Sequence, residues 1–235
     1  MKFLALDTAT EACSVALWHD GQVYHLDEVC PQQHSKRILP MVQQLLSDAG
    51  VPLRQLDGIV FGRGPGSFTG VRIGVGVVQG LAFGADLPVF GVSTLQAMAQ
   101  AAYRLHQASD VVAAIDARMG EVYIAQYQLC TDRTASAYGL MQAVSAEQAL
   151  KPEQLPPLLV SSKATAVGTG LQTYRDAFAA WQAELTVSSA VLLPSAQDML
   201  PFANDAYAKG LFVAPELAEP VYVRDEVTWQ KLPGR

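Results

Sequence analysis

The chain has 235 residues, half of them hydrophobic, a formal net charge of −6 and a sequence pI of about 5.1. This length suffices for one large domain or two small ones, each with its own core. The longest run of basic residues is the pair Lys36-Arg37. Because the chain lacks the basic footprint of a protein that grips nucleic acid alone, we expect any nucleic acid to reach it through a partner.

Cysteine usage and the apolar segments bear on the compartment. The cysteines give an odd count and no CxxC pair, which fits a reducing, cytoplasmic setting better than a disulfide framework: Cys13, Cys30 and Cys130. The N-terminus meets an acid, Asp7, too early for a signal peptide. A membrane span needs roughly 18 uncharged apolar residues. The segment that comes nearest carries Arg72 and Gln79, so it is predicted to be buried in the protein, and no membrane contact is expected.

The first half of the chain is predicted to fold in the order βββαβαβα. Alternating apolar residues and turn signals predict an antiparallel meander, closed at its first strand by Asp7, with strands over 3–6, 13–18 and 23–29. A helix is predicted over 34–49, capped by Gly50, with Pro40 favouring a kink or a later start. The remaining elements are a strand at 58–61, a helix at 69–83, a strand at 88–92 and a helix from Ser93 to about Leu105.

The second half begins on the same plan. A strand over 110–116 ends in an acid, turns at 117–120 and returns over 121–128, which is weak internal repetition. The later predicted elements are a strand at 164–167, a helix at 171–182, a helix at 195–209 with Ser195 and Asp198 as caps, and a proline-rich tail from 215 containing a strand-like Val221-Tyr222-Val223.

The glycine-rich stretch from Asp57 to Gly84 is the most unusual feature. A strand, a loop over 62–67 and a helix with glycines at 70, 74, 76 and 80, and one just past its end at 84, fit either a phosphate cradle or a helix-packing surface. The loop is neither a Walker A motif nor a good dinucleotide fingerprint. Glycine in a helix costs about 1 kcal/mol against alanine, and close packing is the natural compensation. Phe68 and Arg72 favour the interface, with Arg72 pairing an acid across it or holding one anion.

Two acidic strand ends are candidate ligand sites. Asp7 with Thr8 suits a hydrated Mg²⁺ near a phosphate, although a turn bonded to local backbone is favoured. Asp116 with Arg118 is the counterpart in the second half, where a hairpin turn is again favoured. The four histidines are scattered without metal-ligand spacing, so no metal site is predicted.

Several segments together resemble the TsaB family, once called YeaZ. They are LALDTAT at 4–10, HSKRILP at 34–40, GRGPGSFTGVRIG at 62–74, GVSTL at 91–95 and DARMGEVY at 116–123. The resemblance implies an α/β protein of the actin-like ATPase (ASKHA) fold, with two RNase H-like lobes and mixed sheets. The lobes are expected at 1–105 and, with the proline-rich tail, at 106–235.

The resemblance also implies a role in making threonylcarbamoyladenosine next to the anticodon of tRNAs that read codons beginning with A. TsaB-like proteins are the non-catalytic companions of TsaD, with TsaE as a third, ATP-hydrolysing member, and meet tRNA only through that complex. Thr94 and Met98 stand where TsaD-like proteins carry the metal-binding HxxxH histidines, and Gly168-Thr169-Gly170 is a poor counterpart of their adenosine site. These departures predict a chain with no catalytic residues, cofactor or metal.

In this family the helix matching 34–49 and the glycine helix form the surface that meets TsaD, or a second TsaB in its absence. The predicted interface residues are His34, Ile38, Leu39, Val42, Leu45, Leu46, Val71, Arg72, Gly74, Val75, Gly76 and Gly80. A vestigial ligand site is predicted at Asp7, Thr8, Asp116 and Arg118. The rival hypothesis is an ATP-dependent kinase-like enzyme of the same fold, in which Asp7 and Asp116 hold metal and phosphate; a glycoprotease lacks its metal-ligand pair.

Overall fold

Two mixed β-sheets carry the fold in the computed structural model, which describes residues 1–160, 163–181 and 183–224. The strands of the first sheet are β1 (Phe3–Asp7), β2 (Ala12–His19), β3 (Gln22–Val29), β4 (Gly58–Gly62) and β5 (Val89–Val92). Their order is β3-β2-β1-β4-β5. β2 is antiparallel to both of its neighbours, β1 and β3, whereas β4 and β5 run parallel to β1.

The second sheet follows the same plan. Its strands are β6 (Asp110–Arg118), β7 (Glu121–Leu129), β8 (Met141–Ala143), β9 (Gln148–Leu150), β10 (Ala164–Val167) and β11 (Leu185–Val187). The order is β11-β10-β6-β7-β8, and β9 also pairs with β7. In both sheets a central strand has its hairpin partner on one side and parallel strands on the other. The internal repetition predicted from the sequence is therefore confirmed in the topology.

Of the α-helices in the described residues, the first three begin and end largely where the sequence predicts and the last two do not. These helices are α1 (His34–Asp48), α2 (Phe68–Ala85), α3 (Thr94–His106), α4 (Gly170–Thr173) and α5 (Leu200–Ala208). The α1 helix runs through Pro40, so the predicted later start is wrong. Ser67 caps α2 by accepting a hydrogen bond from the Gly70 N–H. This helix ends at Ala85, so Gly84 lies inside it and not beyond its end.

Strand alternation sorts the buried side chains into three layers. On β1, Leu4 and Leu6 face the core under α1 and α2, whereas Phe3 and Ala5 face the core between the two sheets. That middle core includes α3, which packs on the second sheet, and α5, which packs on the first. A third core lies on the far side of the second sheet. Thus α1 and α2 form the outer face of the first sheet.

Three later predictions need correction. The helix predicted over 171–182 is only α4 and a 3-10 turn over Ala177–Trp181, because the chain leaves helical geometry at Tyr174, whose hydroxyl donates to Asp116 (2.9 Å). Gln182 lies outside the described residues. The strand-like segment at 221–223 forms no strand, and of the predicted tail, residues 225–235 lie outside the described part of the chain.

The last helix also differs from its prediction. It begins at Leu200, after a 3-10 turn over Ala196–Asp198. The two predicted caps are engaged elsewhere: Ser195 donates to Asp27 (2.9 Å), and the buried Asp198 accepts two hydrogen bonds from Arg104 (2.7 and 2.9 Å). Because α3 lies on the second sheet and α5 on the first, the chain crosses between the sheets. The predicted lobe boundary at residue 105 stays a prediction.

Candidate functional site

Apart from Gly64, which faces the Val221 carbonyl oxygen, the glycines of the loop and α2 fall into two sets with opposite surroundings. The inner glycines (Gly62, Gly66, Gly70 and Gly74) face the end of β1 and the residues directly after it, 7–9. A Cβ on Gly66 would collide with the Ala9 carbonyl oxygen, and one on Gly70 with that of Thr8. The contact is reinforced because Ser67 N–H donates to Ala9 O and the Thr8 hydroxyl donates to Gly70 O, each at 2.7 Å. The inner side of the loop and of the first turn of α2 is therefore packed against the chain's own backbone at Thr8 and Ala9, which favours a packing role for these glycines over a phosphate cradle.

The outer glycines (Gly76, Gly80 and Gly84) lie on the opposite face of α2. All are exposed, and a Cβ added to any of them would meet nothing within 4 Å. Each costs about 1 kcal/mol of helix stability relative to alanine. Among the described residues, nothing packs against this stripe.

A groove with a cavity volume of about 510 Å³ runs along this stripe between α1 and α2. Its lining is mostly apolar and consists of Ser35, Leu39, Arg72, Ile73, Gly76, Val77, Gly80 and Leu81. We call these residues the docking groove. Leu39 in the lining is 47% exposed, and Phe68 and Phe83 at the two ends of α2 are 53% and 62% exposed. Contiguous exposed apolar surface is typical of interaction sites, so this face is the candidate site.

The apolar character of α2 exceeds what its own fold buries. By length and composition alone, Phe68–Ala85 would suffice to cross a membrane, yet only 33% of it is buried. The prediction that this segment is buried is therefore wrong for its outer face. Its inner face packs Val71, Val75, Val78 and Ala82 into the core under the first sheet. The surplus apolar surface thus belongs to one side of a packed surface helix.

The predicted interface residues divide between core and surface. Five of them are core side chains with 6% exposure or less: Ile38, Val42, Leu45, Val71 and Val75. Gly74 faces Thr8, His34 is buried, and Leu46 is partly buried against the same core. The exposed members are Leu39, Arg72, Gly76 and Gly80. In this structure the surface is consequently formed by these four, and the buried residues only hold the two helices in place.

Sequence reasoning missed part of the docking groove. Ser35, Ile73, Val77 and Leu81 line it but were not predicted as interface residues. The signal was present, because Ile73 and Gly80 lie three residues before and four residues after Gly76, and Val77 lies four residues after Ile73. The prediction followed the strongest apolar stripe of each helix instead, and that stripe faces the core.

A second concavity, with a volume of about 730 Å³, lies between the two sheets. The segment after β1, the starts of α1 and α2, the β6–β7 turn and residues 222–224 line it. At its mouth Arg118 forms ion pairs with Glu11 and Asp116. Asp116 also accepts hydrogen bonds from the Tyr174 hydroxyl and the Arg118 N–H, both at 2.9 Å. The oxygens of Asp116 are therefore engaged by the chain's own groups.

The structure separates the four residues of the predicted vestigial site. Asp116 and Arg118 lie together at the cleft, but Asp7 and Thr8 do not line it and are each 1% exposed. Asp7 Oδ1 accepts from the Ala9 N–H (2.9 Å), while Oδ2 packs against Gly62 with no hydrogen-bond partner among the described residues. Burial raises the pKa of Asp7 to about 6, against the lowering effect of the Ala9 N–H.

Buried core side chains stand at the two positions where TsaD-like proteins carry the metal-binding histidines. Thr94 and Met98 are both fully buried between the sheets. Across the described residues, no group of three or more His, Cys, Asp and Glu side chains could hold a metal. At the Gly168-Thr169-Gly170 segment, a Cβ on Gly168 would collide with the Ala114 carbonyl oxygen. These glycines serve packing against β6.

The C-terminal segment, residues 218–224, ties α2 to the second sheet. Gln79 donates to the Ala218 carbonyl oxygen (3.2 Å), and Val221 N–H donates to Arg63 O (2.7 Å). Tyr222 contacts α2, and Arg224 forms an ion pair with Glu121 (2.6 Å). Sequence reasoning missed these contacts; an aromatic residue beside Pro220 was the available signal.

Two sheets that share one strand plan, with helices between them and a cleft at their edge, define the actin-like ATPase (ASKHA) class with two RNase H-like lobes. The sequence-based prediction of fold class is confirmed. The solved structure described as "YeaZ from Pseudomonas aeruginosa" is 47% identical, with a TM-score of 0.86 over 94% of this chain and 99% of that chain.

Sequence relatives narrow the class to one family. The "tRNA threonylcarbamoyladenosine biosynthesis protein TsaB" of Escherichia coli (strain K12) is 51% identical over the whole of both chains. The protein of the same name from Haemophilus influenzae is 48% identical over 100% of this chain and 98% of its own. The family model described as "TsaD: tRNA N6-adenosine threonylcarbamoyltransferase" matches residues 26–232. The chain therefore belongs to the TsaB family, within the broader family that this model describes.

Proposed function

We propose that this protein takes part in forming threonylcarbamoyladenosine in tRNA as the non-catalytic partner of a TsaD-like protein. In this proposal it docks through the outer face of α1 and α2 and holds its partner in an active arrangement, with a TsaE-like ATPase as the third member. The observation that carries the proposal is the exposed glycine stripe beside an apolar groove. The names of its relatives supply the reaction.

The non-catalytic role is supported by the state of the acidic residues. Asp7, which would hold the metal in a kinase-like enzyme, is buried in the core, and this burial raises its pKa. Asp116 is engaged by Tyr174 and Arg118. Neither carboxylate is free to coordinate a metal without rearrangement, which disfavours the kinase-like alternative. Calorimetry with Mg-ATP on the isolated protein distinguishes the two, since a kinase must bind the nucleotide.

The docking mode follows from helix packing. Glycines on an exposed face let a second helix approach with its backbone close, and apolar rows at Ile73, Val77 and Leu81 provide ridges beside them. Two helices from each side would form a four-helix contact. We propose the same face for a homodimer when the TsaD-like partner is absent, because a two-fold contact pairs the surface with itself. The net charge of −6 supports contact with tRNA only through the complex. We propose a cytoplasmic location away from membranes, because the relatives are named for tRNA threonylcarbamoyladenosine biosynthesis.

The test is threonylcarbamoyl transfer to tRNA by TsaD-like and TsaE-like proteins with threonylcarbamoyl-adenylate and ATP, with and without this chain. The groove variant is Gly76→Leu with Gly80→Leu. The matched control is Ala208→Leu, which adds similar bulk at an exposed position of α5, on the opposite face of the first sheet. We expect the wild type and the control to support transfer, and the groove variant to lose both transfer and co-elution with the TsaD-like protein.

The folded state of the groove variant is checked by thermal unfolding, and its Tm should be at or above that of the wild type because the added side chains enter open space and leucine favours helix over glycine. If the folded groove variant still co-elutes with the TsaD-like protein and supports transfer, the docking surface is wrong. If transfer needs no TsaB-family chain at all, the proposed role itself fails.

A further inference from the structure

Arg72 is held in an unusual way at one end of the glycine stripe, one helical turn before Gly76. Its guanidinium carbon lies 3.5 Å from the centre of the Phe68 ring and 5.5 Å from that of Tyr222. Its Nε donates a hydrogen bond to the Tyr222 hydroxyl (2.7 Å). The two rings are 5.5 Å apart. An exposed arginine is thus fixed by two aromatic faces and one hydrogen bond.

The charge of Arg72 is not balanced by the described residues. Other arginines that make side-chain contacts have carboxylate partners: Arg37 with Glu28, Arg63 with Glu147, Arg104 with Asp198, Arg118 with Glu11 and Asp116, and Arg224 with Glu121. Within the described residues Arg72 has no carboxylate within ion-pair distance, and its two Nη groups make no hydrogen bond. Among the described residues, nothing therefore binds the two Nη groups, the planar pair of donors that suits a carboxylate.

The position of Arg72 relates this fork to the docking groove. Arg72 lines the groove together with Ile73, Gly76 and Val77, and it also lines the cleft next to Tyr222. A helix lying along the stripe would cover apolar residues for most of its length and reach Arg72 at the end where α2 begins. Such a partner would leave a guanidinium partly desolvated, which is costly unless a counter-charge meets it.

We propose that Arg72 is the carboxylate-recognition point of the docking surface, and that Tyr222 of the C-terminal segment positions it. The proposal rests on the docking function given above. The partner helix then carries an apolar face with an aspartate or glutamate at the end that meets the start of α2. A guanidinium already held on two rings loses little side-chain entropy when it pairs, and a bidentate carboxylate contact also sets the direction in which the helix lies.

The experiment measures the affinity of the full chain for its TsaD-like partner at several salt concentrations. The variants are Arg72→Met, Arg72→Lys, Tyr222→Phe and Tyr222→Ala, with Arg54→Met as the matched control at another exposed arginine. We expect Arg72→Met to weaken binding by at least about 10-fold and to flatten its salt dependence. Arg72→Lys should recover part of the loss, since it restores charge without the planar fork.

The tyrosine variants separate positioning from direct contact. We expect Tyr222→Ala to weaken binding by roughly 3- to 10-fold while the salt dependence remains, because the charge is kept but no longer preorganised. The phenylalanine variant, which keeps the ring, should lose less. If Arg72→Met leaves binding unchanged while Gly76→Leu with Gly80→Leu abolishes it, this inference is overturned and the docking function stands. Binding unchanged in both overturns the docking function itself.

A second measurement identifies the carboxylate. Each aspartate and glutamate of the partner's docking helix is changed to its amide, alone and together with Arg72→Met. We expect one position to lose its effect when Arg72 is already methionine, the signature of a direct pair in a double-mutant cycle. Additive losses at every position would overturn the assignment of a carboxylate to Arg72.

Discussion

The inner and outer glycines of the loop and α2 are glycine for opposite physical reasons. At Gly66 and Gly70 a single methyl group has no room, because the backbone after β1 lies directly against the helix. At Gly76 and Gly80 the same methyl group would point into open space. The first pair is required by the fold of this chain. The second pair weakens the isolated helix, and in our proposal a partner protein that covers this face offsets the cost.

The same division holds for the apolar side chains beside them. On α1, Val42 is 3% exposed in the core, whereas Leu39, three residues before it, is 47% exposed at the groove. A substitution on the buried face of either helix therefore tests the fold, whereas a substitution on the exposed face of the same helix tests the docking surface. This contrast between faces can be broken or sharpened by four measurements.

The largest effect is expected from Val42→Glu. It places a carboxylate without a partner in the core under the first sheet, and we expect a loss of roughly 4 kcal/mol or more in the free energy of unfolding. Leu39→Glu is the matched control and should change that free energy by less than about 0.5 kcal/mol while weakening docking. Urea unfolding of both variants checks this. Equal destabilisation by the two would contradict the division into faces.

Gly70→Ala should be the next most damaging change. The new methyl group meets the Thr8 carbonyl oxygen, which is backbone and cannot swing aside. We expect a loss of about 3 kcal/mol in unfolding free energy, at the upper end of overpacking effects. A Tm close to that of the wild type would show that the segment after β1 yields easily.

Asp7→Asn tests the buried Asp7 carboxylate through the pH dependence of the free energy of unfolding. The pKa of Asp7 is about 6 in the folded chain against an ordinary 3.8, so the folded state binds the proton more tightly than the unfolded state. Stability from this group is therefore greatest below pH 4 and falls as pH rises to about 6, by up to about 3 kcal/mol. The asparagine variant should lack this fall.

The readout for Asp7→Asn is the difference in unfolding free energy between variant and wild type, measured from pH 4 to pH 8. We expect the difference to shift in favour of the variant as pH rises and to level off above pH 7. Parallel pH profiles would mean that Asp7 ionises as an exposed carboxylate does.

Gly80→Ala should have the smallest effect, and with the opposite sign. Because the methyl group enters open space and alanine favours helix, we expect the free energy of unfolding of the isolated chain to rise by about 0.5–1 kcal/mol. The same change should weaken docking by narrowing the stripe. Differential scanning calorimetry and partner titration measure the two effects, and a destabilised monomer would show that the outer face is packed after all.

Local pattern accounts for most of what could be predicted. Alternation and helical spacing placed the strands of the first sheet, β6, β7 and β10 of the second, and the three longer helices, since these periods express which face of an element is buried. The three-residue strands β8, β9 and β11 were not predicted, because they are too short to show a period. The helix predicted over 171–182 stops before Tyr174, whose hydroxyl bonds Asp116, 58 residues away in the chain. Ser195 and Asp198 failed as caps for the same kind of reason, since Asp27 and Arg104 hold them.

The sequence by itself determined the repeated strand-and-hairpin arrangement, the family and the presence of an unusually glycine-rich helix. It could not determine which glycine faces which neighbour, because that depends on how β1 and α2 approach each other. Tertiary structure alone decided that Ile38, Val42 and Val75 are core while Gly76 and Gly80 are surface. It also brought Tyr222 onto Arg72 across 150 residues. Periodicity reports that a helix has an apolar face, but only packing reveals whether the chain itself or another protein covers it.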